Sequence, residues 1–300
     1  MPAASVRRRI RFFAWESLPE RDEFDLESAI GSIAALDDTN WRYVGSDMTT
    51  AAIVDQHPVG DSQAFLRLFR LRECDDVPYK IDVQRATTPI QIGRGEAITD
   101  WTHVVIWRDG YAAHDPHRDA PSLARLSAYF REKTNDRVNF VSLFNRNLIN
   151  QLRALEDLRS VELRIARPDA LQDAEDRKLG MFEGIFNMAR ESDSATLATT
   201  ISVGRSRKRR LNPDLKDEVI SLAEIASEYL DHLVVRGVGD GRLVTIDLLH
   251  QRIEKYCSVP RATSDVRQPD PDRMYDAIVS LRRELDVDGA LEAAARGRLG

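Results

Sequence analysis

The sequence predicts an α+β fold of two mixed, mainly antiparallel sheets. Each is built around an Asp-Gly hairpin and covered by helices, and a further helix stands at the C-terminal end. Three observations predict this. Asp109-Gly110 and Asp240-Gly241 each lie between runs rich in branched and aromatic residues, and Asp-Gly is a strong hairpin signal because a type I′ turn needs positive φ at both central positions. Around the hairpins, apolar residues recur at three- and four-residue spacing, the period of a helix with one buried stripe. An apolar share of 42% and a charged share of 31% suit a chain that encloses a core.

The elements follow in order. Residues 9–15 (RIRFFAW) read as a first strand, which Pro19 and the acids after it terminate. Asp25 caps a helix with Leu26, Ala29, Ile30, Ile33 and Leu36 on one face. Residues 41–44, 50–54 and 65–71 read as strands, the last alternating apolar and basic. Residues 79–83 form a further strand, and the proline- and glycine-bearing stretch 87–95 a loop. The central hairpin occupies residues 102–119, its first arm nearly all apolar. Asp119 or Ala120, with Pro121 behind it, opens a helix that buries Leu123, Leu126 and Phe130. A strand at 138–144 and a helix at 148–158 complete the first half.

The second half is read as a strand at 161–165, a helix at 178–190 and a Thr-rich strand at 195–203. A helix capped by Asn212 and started by Pro213 comes next. The second hairpin spans 233–248 and leads into a short helix at 249–256. Residues 258–272 are a polar linker, and Met274, Ile278, Leu281 and Leu285 form the seam of a last helix. The expected domains are residues 1–157 with the central hairpin, 158–258 with a basic loop, and 259–300 as linker and amphipathic helix.

Composition excludes several classes. No run reaches the roughly 18 apolar residues of a membrane span. The arginines at positions 7–9 are followed by no apolar segment of the kind a secretion signal needs. Two widely separated cysteines, Cys74 and Cys257, form no disulfide framework and point to a reducing, cytoplasmic setting. There is no phosphate loop, nucleophile elbow or CxxC pair.

Two stretches carry candidate chemistry. In a two-residue hairpin turn Arg108 pairs with Tyr111, which sets His103 opposite Pro116 and between Asp115 and His117. His103, His114, Asp115 and His117 are therefore candidate ligands for a divalent metal in a hydrolase or nuclease. Against this, His-Asp-Pro-His is also a good loop sequence, and proline disturbs a regular strand. The other stretch is Arg205, Arg207, Lys208, Arg209 and Arg210. It reverses the sign of a chain whose net charge is −6 and precedes a helix N-terminus, an arrangement that suits nucleic acid or another polyanion.

The leading expectation is thus a non-enzymatic bacterial accessory protein that binds nucleic acid through this loop and works within a multiprotein defence system. It needs no cofactor, and a protein partner or self-association through the C-terminal helix accompanies it. The metal-dependent hydrolase is the alternative.

Overall fold

A computed structural model describes residues 5–17, 24–37, 40–44, 49–58, 63–72, 79–81, 87–89, 98–117, 120–165, 182–191, 196–204, 210–226, 230–262 and 268–298. The fold is α+β, and every strand pairing described is antiparallel. The expected mixed character of the sheets is therefore not found: among the described residues, no crossover sets two neighbouring strands parallel.

The chain begins with β1 (Ser5–Ser17) and α1 (Leu26–Ala34), whose N-cap Asp25 accepts from the Glu27 amide. Then come β2 (Arg42–Val44), β3 (Thr49–Gln56) and β4 (Ala64–Arg72). Among the described residues, the short strands β5 (Tyr79–Ile81) and β6 (Thr87–Pro89) pair with each other alone. The central hairpin is β7 (Ile98–Ile106) and β8 (Tyr111–His114), and α2 (Leu123–Thr134) and β9 (Val138–Ser142) follow it. Ser122, not Asp119 or Ala120, caps α2 by accepting from the Arg125 amide. A serine hydroxyl reaches the third amide as well as a carboxylate does, so Pro121 comes just before the cap.

Eight strands make one large sheet in the order β14-β1-β8-β7-β4-β3-β2, with β9 also on β1. Its β14 (Glu254–Pro260) comes from the far end of the chain. β14 pairs with residues 5–11 of β1, and β9 pairs with residues 13–17. The two partners meet at Phe12, whose amide donates to Ile253 O (3.1 Å) while its carbonyl accepts from Leu143 N (3.2 Å).

Alternate side chains of a strand point to opposite faces, and both faces of this sheet are covered. Phe13, Leu66, Leu68, Val104, Ile106 and Ala112 pack under α1 and α2. Ile10, Phe12, Ala14, Val105 and Ala113 pack under the C-terminal helices α6 (Pro271–Val287) and α7 (Ala290–Arg298). The seam Met274, Ile278, Leu281 and Leu285 is buried there, each side chain contributing about 1.5–3 kcal/mol by leaving water. That seam is therefore buried within the chain, against the large sheet.

Between β9 and β14 the chain builds a second sheet, β11-β10-β12-β13. Its strands are β10 (Asp157–Ile165), β11 (Leu197–Ser202), β12 (Leu230–Gly239) and β13 (Arg242–Asp247). Helices α3 (Arg146–Ala154), α4 (Glu183–Glu191) and α5 (Leu215–Ala226) cover one face over Val161, Leu163, Leu233, Val235 and Ile246. The other face carries Glu162 paired with Arg236 (3.2 Å) and His232 (3.8 Å).

Two expected helices are corrected. The helix at 148–158 ends at Ala154, and residues 157–158 already belong to β10. The expected helix at 249–256 is a single 3-10 turn (Leu249–Gln251) followed by β14. From Lys255 to Pro260 covered and exposed positions alternate, with Val259 in the core, and pairing with β1 wins over a weak helical period. The polar linker consequently starts after Pro260, and residues 254–298 rejoin the first sheet.

Two glycine substitutions test the packing. A Cβ on Gly237 meets Asp157 O at 2.5 Å and Leu155 Cδ1 at 2.8 Å, whereas one on Gly31 in α1 meets nothing within 4 Å. Gly237→Ala is expected to destabilise by about 1–3 kcal/mol, and Gly31→Ala to stabilise by about 0.5–1 kcal/mol. Urea unfolding of both variants measures the opposite signs.

Candidate functional site

The two Asp-Gly pairs make different turns. Asp240 (φ 50) and Gly241 (φ 70) both take positive φ between paired Gly239 and Arg242, the two-residue type I′ form. In the central hairpin only Gly110 (φ 91) does so. There Trp107 N bonds Tyr111 O at 2.9 Å, and Ile106 pairs with Ala112. The loop is therefore Arg108-Asp109-Gly110, a three-residue loop with glycine in the left-handed position. The register expected from a two-residue turn shifts by one residue, which sets His103 opposite Asp115 and not Pro116. In this looser turn the guanidinium of Arg282 of α6 bonds the Asp109 carboxylate (Nη1 to Oδ1, 3.3 Å) and lies over the rings of Trp107 and Tyr111 at 4.8 and 4.6 Å.

This shift assembles a buried polar cluster around Asp115. Asp115 is buried, 1% exposed. Its Oδ1 accepts from the His103 amide (2.6 Å) and lies 3.0 Å from the Thr102 hydroxyl, which also reaches the Asp115 carbonyl at 2.8 Å. His103 Nδ1 faces both carboxylate oxygens at 3.3 and 3.4 Å. The Arg8 Nε stands 3.9 Å from Oδ2, and Arg8 Nη2 donates to Gln268 (2.8 Å). Burial pushes the Asp115 carboxyl up, but the hydrogen bonds and charge of His103 and the charge of Arg8 outweigh it. The net effect holds the group below the usual carboxylate range.

The cluster continues under α6. The His103 ring meets Tyr275 edge-on, centroids 5.5 Å apart, and Tyr275 stacks on Phe65 at 4.6 Å. The Tyr275 hydroxyl donates to Asp55 Oδ2 (2.6 Å), and Arg67 grips the same carboxylate with Nε and Nη2 (2.8 and 2.7 Å). Burial first, and then the bond to Asp55, push the Tyr275 phenol well above its ordinary value. Arg67 is raised by its bond to Asp55. His103 Nε2 is buried and has no hydrogen-bond partner among the described residues. A carboxylate-oriented imidazole of this kind has the form of a general base. Its ring is 0% exposed, however, so α6 lies between it and any substrate in solution.

The other predicted residues fall elsewhere. His114 pairs with Arg11 and Val104 and lies on the opposite face from His103, its ring 5.2 Å from that of Phe13. His117 lies beyond Pro116, half-buried, and among the described residues no hydrogen bond or ion pair joins it to His103 or Asp115. The structure thus brings together only His103 and Asp115 of the four candidate ligands. Among the described residues no group of three or more His, Cys, Asp or Glu is placed to hold a metal. The strand's alternation separates His114 from His103 once the register is corrected, and His117 lies past the end of β8.

Of the basic run, Arg205, Arg207, Lys208 and Arg209 lie outside the described residues. Arg210 pairs with Asp157 at 3.0 Å and is 71% exposed. Cys74 is likewise outside them. The Cys257 thiol is pushed up by burial and by the Asp115 charge, which opposes the thiolate a nucleophile needs.

Sequence reasoning missed Arg8, Thr102, Tyr275, Asp55 and Arg67. Arg8 and Arg67 share the sheet face of His103, Tyr275 packs on that face from α6, and Thr102 stands next to His103 on the opposite face of β7.

Replacing Asp115 tests the cluster. Asp115→Asn is expected to cost about 3 kcal/mol at neutral pH, because it leaves Arg8 without its counter-charge and weakens the bond to His103. A folded pKa below the unfolded value means the charge stabilises above about pH 4 and loses that contribution as pH falls through the folded pKa. The stability gap between wild type and variant is therefore expected to close below about pH 4 in chemical denaturation.

No helix among the described residues is long and apolar enough to cross a membrane. No curated protein matches the chain. Residues 23–281 match the model of a family of unknown function, DUF6731. The chain belongs to that family.

Proposed function

We propose that this protein is a non-enzymatic nucleic-acid-binding protein whose contact with the phosphate backbone runs through residues 205–210. The supporting observation is how the chain is held on either side of the basic segment. Val203 N bonds Arg159 O (3.1 Å) as the chain leaves β11, and Leu211 N bonds Leu158 O (3.3 Å) as it returns. Both anchors are neighbours on β10, so the segment departs from and returns to one end of the four-stranded sheet. Arg205, Arg207, Lys208, Arg209 and Arg210 put five cations into that short span. Such a concentration of like charge favours a phosphate backbone, which relieves it and releases counterions on binding. Arg210 keeps its guanidinium largely exposed despite its bond to Asp157.

The helix behind the loop supplies little to this reading. Asp217 and Glu218 sit in the first turn of α5 and already complement its positive end. The affinity is therefore assigned to the loop's side chains and not to the helix dipole.

Fluorescence anisotropy with a labelled DNA duplex across a salt series tests the reading. Replacing Arg207, Lys208, Arg209 and Arg210 by Ser is expected to weaken binding and to flatten the salt dependence, by about 0.9 in slope for each phosphate that is no longer neutralised. Equal affinity and equal slope in the variant overturn it.

A further inference from the structure

A second basic surface lies on the N-terminal strand, with an aromatic ring in it. Along β1, Arg7, Arg9 and Arg11 share a face with Phe13, but they stand toward the strand's start, on the half that pairs with β14. Directly opposite them on β14 are Ser258, Tyr256 and Glu254. This part of the sheet is open: Arg7 is exposed, the Arg9 side chain is 38% exposed and Tyr256 is 52% exposed. Arg7 holds its guanidinium 4.5 Å above the centre of the Tyr256 ring. Glu254 is the one acid among these six paired residues, and its Oε2 is shared between Arg9 (3.9 Å) and Arg11 (3.6 Å). Arg7 and Arg9 thus set exposed positive charge beside Tyr256, in a chain whose overall charge is −6.

We propose that this strip is a stacking surface for single-stranded nucleic acid, separate from the 205–210 loop. One base lies on Tyr256, and the flanking phosphates take the guanidinium groups of Arg7 and Arg9. Three features select this occupant. The local charge complements phosphate. With Arg7 over one face of its ring, the half-exposed Tyr256 offers the other face to any base, and Arg adds a cation–π contribution to such stacking. Arg7 and Arg9 are two residues apart on one strand, about 6.6 Å, so they reach successive points along an extended backbone. A duplex has its bases already stacked and offers phosphates and groove edges but no free base face, so it gains no stacking on Tyr256. The competing account is that arginines on and beside an edge strand merely keep it from pairing with other chains. In that account Tyr256 has no role in binding.

Anisotropy with labelled oligothymidylate and with a duplex of equal length, at one fixed salt concentration, separates these accounts. Tyr256→Ala is expected to bind the single strand about tenfold or more weakly and the duplex unchanged, whereas Tyr256→Phe keeps most of the single-strand affinity. Arg7→Ser with Arg9→Ser is expected to weaken the single strand and, in a salt series, to flatten its salt dependence. Both positions are on the surface, and thermal melting of each variant checks that the fold persists. Repeating Tyr256→Ala in the protein whose Arg207, Lys208, Arg209 and Arg210 are Ser keeps the two proposals apart, because the Tyr256 effect is expected to remain there. The inference is overturned if wild type does not bind oligothymidylate. It is also overturned if Tyr256→Ala binds it as wild type does, or if the loss is equal for single strand and duplex.

Discussion

The buried carboxylate of Asp115 is the constraint on which the N-terminal sheet depends. A lone ionised carboxylate in an apolar interior is costly unless it is both paired and hydrogen-bonded. Here the donors come from Thr102 and His103 on β7, and the opposing charge from Arg8 on β1. Satisfying one side chain therefore ties together the strands on either side of β8. The same carboxylate accepts from the His103 amide, a position its own carbonyl would fill if the ladder continued, and Pro116 behind it has no amide to donate. The strand stops at His114 for that reason, and the hairpin register is fixed from its open end as well as from its turn.

The other end of the hairpin is fixed by α6. Arg282 holds the Asp109 carboxylate and covers the two aromatic residues that flank the loop. Tyr275, two turns earlier, reaches across the sheet to Asp55. One helix therefore spans the hairpin from its loop to its polar cluster, and it can do so only because β14 has already brought the chain back to β1. The residues between β9 and β14 fold on a core of their own, built by α3, α4 and α5 over four strands. The chain's two ends meet in the large sheet, while its middle forms the smaller one.

The chemistry of the molecule divides by depth. The groups with acid–base character, His103, Asp115 and Tyr275, are enclosed under α6, where they satisfy one another and organise packing. Arg7 and Arg9 on the β1–β14 strip, and Arg210 beside β10, instead hold their charge at the surface. Arg11 and Arg9 share Glu254, which keeps part of the strip's charge compensated when nothing is bound.

The sequence by itself determined the local elements and the fold class. Asp25 before its apolar stripe, the strand-like runs around Asp109 and Asp240, and the spaced seam from Met274 to Leu285 each encode their conformation in neighbouring residues. It also marked His103 and Asp115 as belonging together, although through a register one residue off. What it left undetermined was everything that depends on partners far along the chain. Residues 254–256 carry too short a pattern to choose between helix and strand, and the unpaired half of β1 made the choice. Asp109-Gly110 permits both the two-residue and the three-residue turn, and Arg282, 173 positions away, accompanies the looser one. That single residue of slippage sends His114 to the opposite face from His103 and sets Asp115 directly opposite His103. A strand's period of two makes its faces legible from sequence, but only tertiary contacts decide which residue of the next strand stands opposite.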